Sequence, residues 1–238
     1  MKYIFDVDGT LTPARKQMKL DFMAYFLKFE CKHDVYLVTG SDRQKTVEQL
    51  GLDIYNRAKR VYNCSGSDVY EQDRNVYRDD WTPSDKVRQF LQDELDYSQF
   101  TIRTGTHIEE RPGCINFSIL GRGANWSERE VYKAWDKDEH ERQEIARRFN
   151  DRFPDLYATV GGETGLDIAP HGRDKSQILR DFDRDVKFFG DKMDPGGNDH
   201  LLASKIREKK IGATYYVFDY KHTWDLLKYE ASERESKG

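Results

Sequence analysis

The sequence has no apolar run longer than a handful of residues, far short of the roughly 20 that a membrane-spanning helix needs. It has no basic excess either. Lys and Arg number 39 against 43 Asp and Glu, for a net charge of -4, so no concentrated basic face recommends nucleic acid as a partner. The amino terminus carries no basic segment, apolar segment and cleavage site of a secretory signal. Cysteine is scarce: Cys31, Cys64 and Cys114 are scattered and odd in number. They fit neither a zinc spacing nor a disulfide framework, and they point to a reducing compartment. The six histidines show no metal-ligand pairing. There is no Gly-x-x-x-x-Gly-Lys loop, no Gly-x-Gly-x-x-Gly fingerprint, no internal repeat and no low-complexity tract. These absences leave a soluble cytoplasmic protein with neither membrane nor nucleic acid as partner.

What is present is a βα alternation, interrupted once. An apolar strand at Tyr3-Ile4-Phe5 is followed by Met18, Phe22, Phe26 and Phe29 at helical spacing, then by the strand Val35-Tyr36-Leu37-Val38. A helix over Arg43–Leu50 stopped by Gly51 and a strand at Arg60–Asn63 continue the βαβ pattern of a parallel sheet. Near Trp81 the pattern changes. A helix capped by Ser84 or Asp85 precedes short alternating runs at 100–103, 107–111 and 114–119, read as antiparallel strands. Ser127 and Glu130 have the spacing of a capping box, and Ile145, Phe149 and Phe153 give the next helix its stripe. Strands at 158–160 and 166–168 follow. The alternation then returns with strand Val186–Phe189, strand Tyr215–Phe218 and a helix around 224–229, with a polar tail from Glu230 expected to fray. The expected fold is α/β: a Rossmann-like parallel-sheet core of residues 1–81 and 172–238, carrying an inserted α+β cap, an antiparallel sheet plus helices, at 82–171.

The chemistry concentrates where the first strand ends, in Asp6-Val7-Asp8-Gly9-Thr10. A strand ending in an Asp-Gly turn is common, but it leaves Asp6 unexplained. An ionised carboxylate at a buried strand end needs a cation or a donor network to offset its desolvation. In a parallel sheet all carboxyl ends share one edge, which would gather Asp6, Asp8, Thr39, Ser41 and Asp191, with Lys175 placed to join them. Several hard oxygen ligands in one small volume suit Mg2+. Asp6 is then the natural nucleophile toward phosphorus and Asp8, two residues on, the acid/base.

These residues resemble the phosphotransferases of the haloacid dehalogenase superfamily, which carry Asp-x-Asp-x-Thr on their first strand. The resemblance extends through Thr39-Gly40-Ser41-Asp42, Asp174-Lys175, Gly190-Asp191 and Asn198-Asp199. It implies that Asp6, Asp191 and the Asp8 carbonyl hold Mg2+, while Lys175 and a hydroxyl of Thr39 or Ser41 hold the phosphoryl group. The inserted segment narrows the likeness to eukaryotic-type phosphomannomutases, through Ile108-Glu109-x-Arg111, Asn116-x-Ser118, Gly121-Arg122 and Phe188 to Lys192. By that resemblance Arg15, Arg111, Arg122 and Arg129 grip the sugar phosphate. Asp167 contacts sugar hydroxyls, Asn116 lies in the same region, and a homodimer forms through the cap.

Three departures stand out. Gly165 replaces a Ser two residues before the cap Asp, Asn63-Cys64-Ser65-Gly66 stands where the family has a Glu-Asn-Gly segment, and Asp219 to His222 also differ. The resemblance implies a Mg2+-dependent mutase that interconverts hexose 1- and 6-phosphates, with mannose the expected sugar. It would work through an aspartyl phosphate and with a hexose 1,6-bisphosphate as activator. A sugar-phosphate phosphatase on the same scaffold is the alternative. A third reading, a non-catalytic binding protein, is opposed by the intact Asp6, Asp8, Lys175 and Asp191.

Overall fold

The computed structural model describes residues Met1 to Glu235; residues 236–238, the end of the tail expected to fray, lie outside the described residues. In chain order the elements are β1 (Lys2–Asp6), α1 (Leu20–Glu30), β2 (Asp34–Val38), α2 (Arg43–Leu50), α3 (Leu52–Arg57), β3 (Arg60–Asn63), β4 (Asp68–Glu71) and β5 (Arg74–Arg78). Then come α4 (Asp85–Tyr97), β6 (Ile108–Arg111), β7 (Cys114–Phe117), α5 (Trp126–Glu139), α6 (Glu141–Arg152), β8 (Leu156–Gly161) and β9 (Gly165–Pro170). A 3-10 segment, Lys175–Asp181, leads to β10 (Val186–Gly190), α7 (His200–Glu208), β11 (Gly212–Tyr216) and α8 (Tyr220–Glu235). The last strand thus sits earlier than its expected Tyr215–Phe218, and the last helix runs well past Tyr229.

Contacts divide the chain into two compact units, Met1–Arg78 with Asp174–Gly238, and Asp79–Arg173. In the first, seven strands lie in the order β11-β10-β1-β2-β3-β4-β5. The first five are parallel, and β1 pairs with both β10 and β2. Strand alternation sorts the apolar side chains into two layers. Tyr3, Phe5 and Phe189 pack with Phe22 and Phe26 of α1, while Ile4, Val38 and Phe188 pack with Ile178 and Leu202. Asp6 extends the second of these faces, which is why it comes to lie beside Lys175.

The β4–β5 hairpin joins the sheet antiparallel and has no counterpart in the sequence reading. Its outer strand, Arg74-Asn75-Val76-Tyr77-Arg78, is mostly exposed and carries a charge at each end, as edge strands tend to, so no apolar period announces it. In the second unit, a four-stranded antiparallel sheet in the order β6-β7-β9-β8 shares a core with α4, α5 and α6.

Two expectations for this unit need correction. Residues 100–103 form no strand. The Arg103 guanidinium donates to the carbonyls of Phe100, Ile102, Leu95 and Ser98, filling acceptors that a neighbouring strand would have used and closing the end of α4. The capping box falls two residues earlier than Ser127. Asn125 accepts from the Glu128 N–H at 3.0 Å, and the Glu128 carboxylate accepts from the Asn125 N–H at 2.8 Å. Glu130, the partner expected for Ser127, takes Lys133 instead, at 2.8 Å.

One charge in the first unit sits badly. Glu30 is buried at the carboxyl end of α1, where helix carbonyls already concentrate negative potential, and neither carboxylate oxygen has a hydrogen-bond partner among the described residues. Burial pushes its carboxyl up to about 8, against the pull of Arg57. The folded state therefore keeps a proton that the unfolded chain releases near 4.5, so this contribution to stability is lost as pH rises through about 8. Glu30→Gln is expected to melt with wild type at pH 5 and to be more stable at pH 9, by roughly 1–3 kcal/mol. Thermal melts at the two pH values check it, and equal melting at pH 9 would refute it.

Candidate active site

At the carboxyl end of β1 the chain bends. The carbonyl of Val7 accepts from the N–H groups of Thr10, Leu11 and Thr12, and Gly9 takes a left-handed φ of +85°. This separates the two carboxylates that the sequence sets one residue apart. Asp6 stays with the sheet, and Asp8 is carried toward α2.

Carboxylate oxygens of Asp6, Asp191 and Asp199 lie within 4.8 Å of one another. The Lys175 ammonium, brought in by the 3-10 segment, donates to Asp6 and, at 2.7 Å, to Asp199. The second Asp199 oxygen accepts from the Lys192 N–H at 3.1 Å. Asp6, Lys175 and Asp199 are all but inaccessible to solvent. Two glycines make room for the group: a Cβ on Gly9 would lie 2.3 Å from an Asp191 oxygen, and one on Gly190 would lie 2.7 Å from an Asp199 oxygen.

The electrostatics are out of balance. Three carboxylates share one ion-paired ammonium, Lys175, with Lys192 acting on the half-buried Asp191 from outside the pair, so full ionisation leaves the group with an excess of negative charge. Burial pushes the Asp6 carboxyl well above its ordinary range; Lys175 opposes this, while Asp199 and Asp191 add to it. Burial also raises Asp191, with Asp199 adding to it against the pull of Lys192 and Lys175. Burial alone works against the Lys175 ammonium, but Asp199 and Asp6 override it and keep the lysine charged. Both carboxyl shifts are led by burial, and the neighbouring carboxylates add to them. A divalent cation would neutralise the excess charge, and clustered carboxylate oxygens are the hard donors that Mg2+ takes. The donor set fits.

Asp8 lies outside that carboxylate group. Its Oδ1 accepts from the Arg15 N–H at 2.8 Å and from Gln49 Nε2 at 2.7 Å. Arg15 itself has a left-handed φ of 56°. At the end of β2, Thr39 and Ser41 are both buried. The Thr39 hydroxyl accepts from the Ser41 N–H at 3.1 Å and so shapes the turn, whereas no hydrogen bond is made by the Ser41 hydroxyl among the described residues.

The second unit holds the remaining expected residues, four of them in two pairs. Arg111 and Arg122 converge on one Glu109 oxygen, at 2.6 and 2.9 Å. Asn116 and Asp167 face each other across β7 and β9, with Asn116 Nδ2 donating to Asp167 Oδ1 at 2.7 Å. The Asp167 carboxylate rests on Gly161, whose Cβ would lie 2.2 Å from Asp167 Oδ2. Arg129, on the first turn of α5, donates from Nε to the Ala124 carbonyl at 3.0 Å. A Cβ on Gly165 would lie 3.0 Å from the Phe117 carbonyl oxygen and 3.3 Å from the Asn116 amide, so a Ser there would press on that pair.

Two residues of this geometry were given no role by sequence reasoning. Asp199 appeared in the motif Asn198-Asp199, but its distance from Asp191 along the chain hid its place in the cluster. Gln49 showed only as a polar residue on a helix.

A sequence profile described as "Eukaryotic phosphomannomutase" matches residues 22–223. Phosphomannomutase of Saccharomyces cerevisiae is 32% identical over 221 residues, covering 88% of this chain and 86% of the relative. Phosphomannomutase of Glycine max is 31% identical, covering 89% of each. Among solved structures, a haloacid dehalogenase-like hydrolase from Bacteroides thetaiotaomicron superposes with a TM-score of 0.63 at 10% identity, covering 95% of this chain and 98% of that one. A trehalose-6-phosphate phosphatase related protein does so with 0.60 at 18% identity, over the whole of both chains. At such identities these two structures establish the fold alone.

Proposed function

The chain belongs to the eukaryotic phosphomannomutase family, and from that membership we propose how its residues divide the work of a phosphomannomutase-like isomerase. The observation that carries the reading is the buried Asp6–Lys175–Asp199 group, with the half-buried Asp191 beside it and Asp8 held separately next to the same strand end. Nucleophile and proton carrier need different surroundings, and the bend after Val7 supplies them.

In this reading Asp6 attacks phosphorus, the bond from phosphorus to the sugar oxygen breaks, and Asp8 gives that oxygen a proton. In the return half, Asp8 takes the proton from the hydroxyl that receives the phosphoryl group, and Asp6 is released. Lys175 and the Ser41 hydroxyl hold the phosphoryl oxygens. Ser41 is preferred because the Thr39 hydroxyl is already turned onto the Ser41 N–H. Asp6, Asp191 and the Asp8 main-chain carbonyl would hold Mg2+, with Asp199 adjoining; the ion supplies positive charge for the phosphoryl oxygens. Guanidinium forks bind phosphate bidentately, which suits Arg111, Arg122, Arg129 and Arg15 to the phosphate that is not being transferred. Asp167 and Asn116 would meet the sugar hydroxyls. A hexose 1,6-bisphosphate primes the enzyme, mannose is the sugar, the protein is cytoplasmic and the second unit mediates a homodimer. None of the three cysteines forms a disulfide, and no described helix is long and apolar enough to cross a membrane.

The test is incubation with Mg2+ and mannose 1-phosphate, with and without glucose 1,6-bisphosphate, following mannose 6-phosphate and free phosphate together. Bisphosphate-dependent isomerisation is the expected result. Steady phosphate release without isomerisation would make the protein a sugar-phosphate phosphatase, and neither product from folded protein would end the proposal.

A further inference from the structure

Gln49 lies on α2, on the face that buries Thr46, Gln49 and Leu50, and is only 4% exposed. Its Nε2 donates to Asp8 Oδ1 at 2.7 Å, the same oxygen that accepts from the Arg15 N–H. A carboxylate only accepts, so the amide nitrogen must face Asp8. Its other end pays the penalty: Oε1 is buried with no hydrogen-bond partner among the described residues. A Leu or Met would pack at this position without an orphaned acceptor, so packing does not explain a Gln here. Its main chain is committed too, since the Gln49 carbonyl accepts from the Met18 N–H at 2.8 Å. One residue therefore anchors the far end of the loop bearing Arg15 and the side chain of Asp8.

We infer that Gln49 is a positioning residue for Asp8, an inference that rests on Asp8 being the acid/base. With two donors on Oδ1, the proton travels on Oδ2. During transfer, Asp6 gains a bond to phosphorus and the phosphorus–oxygen bond to the sugar breaks. The electron pair goes to the sugar oxygen, and Asp8 Oδ2 supplies its proton. In the other half-reaction the accepting hydroxyl returns a proton to Oδ2. Without the Gln49 N–H the carboxyl can rotate, and the proton is no longer aimed.

Leaving-group dependence tests this. A sugar alkoxide needs a proton as it leaves; the carboxylate leaving from acetyl phosphate does not. Single-turnover phosphorylation of the Mg2+-loaded enzyme is measured with glucose 1,6-bisphosphate and with acetyl phosphate, for wild type, Gln49→Met, Gln49→Asn and Asp8→Ala. Gln49→Met has similar volume and no donor; Gln49→Asn keeps the amide but falls short of Asp8, and it reads the same effect should the Met variant fold poorly. The expected result is a loss of roughly 10- to 100-fold with the bisphosphate, part of the whole acid/base contribution, and under about 3-fold with acetyl phosphate. Steady-state KM for mannose 1-phosphate stays within about 3-fold while kcat falls by the larger factor. Asp8→Ala should show the same selectivity with a larger loss. Equal losses on both donors in the Gln49 variants, beside a selective Asp8→Ala, overturn the role of Gln49 alone. An unselective Asp8→Ala removes the acid/base reading, and the inference with it.

Discussion

Asp6→Asn is expected to lose phosphoryl transfer by roughly 10^4-fold or more, the scale seen when a nucleophile is removed, without losing the fold. The geometry explains why these effects separate. Asn keeps an oxygen able to accept from Lys175, and Lys175 keeps Asp199 at 2.7 Å. In the metal-free protein Asp6 already holds a proton, so a neutral Asn adds no charge to the group and spares it the cost of ionising Asp6. The metal-free variant should therefore melt at or above wild type, and the phosphoryl group that intact mass detects after incubation with a hexose bisphosphate should be absent. Near-normal turnover would remove Asp6 as the nucleophile. A fall in the metal-free melting temperature would show that the charge state of Asp6 has been misjudged.

Lys175→Met is expected to do the opposite to stability while also abolishing transfer. It removes the only ammonium among the described residues that donates to Asp6 and Asp199, and leaves Lys192, which acts on Asp191, as the remaining nearby cation. Stripping one partner from a buried ion pair typically costs about 3–5 kcal/mol. With Mg2+ held as proposed, the ion would favour the folded protein over the unfolded chain, so raising its concentration should recover much of the loss. Denaturant melts in chelator and across a Mg2+ series measure both effects. The pH dependence has a definite sign in the metal-free state. Asp6 holds its proton in the folded protein above the 3.8 at which the unfolded chain releases it. That stabilising contribution is complete below 3.8 and is lost as pH rises, so the deficit of Lys175→Met should shrink on acidification. A deficit equal at every pH and Mg2+ concentration would trace it to lost packing rather than charge.

The sequence exposed the parts of this site that obey a local period. Asp6 follows Ile4 on one face of a strand, and Thr39 and Asp191 close runs of buried apolar residues, so their shared edge could be read without coordinates. Asp199 could not be placed so directly. It reaches the cluster because the loop Pro195-Gly196-Gly197-Asn198 folds back and because Gly190 has no Cβ to keep its carboxylate away. Gln49 was hidden for another reason. Its helical stripe was legible, but that an amide on it reaches a carboxylate 41 positions earlier is a matter of tertiary structure. The missed hairpin β4–β5 and the misplaced strand at 100–103 fail alike, since charged side chains there do work that the sequence pattern assigns to backbone or core.

The two ends of the second unit bear on how the chain folds. Asp79 and Arg173, its first and last residues, meet as an ion pair at 2.8 Å, with the aspartate buried. The central sheet needs β1 to find β10, far along the chain, and the entropy of closing a loop grows with its length. An inserted unit that folds first and brings its ends together shortens the loop that remains to be closed. The sheet would then assemble as though the insertion were a short turn, and the high contact order of the native topology would overstate the search that the chain has to make.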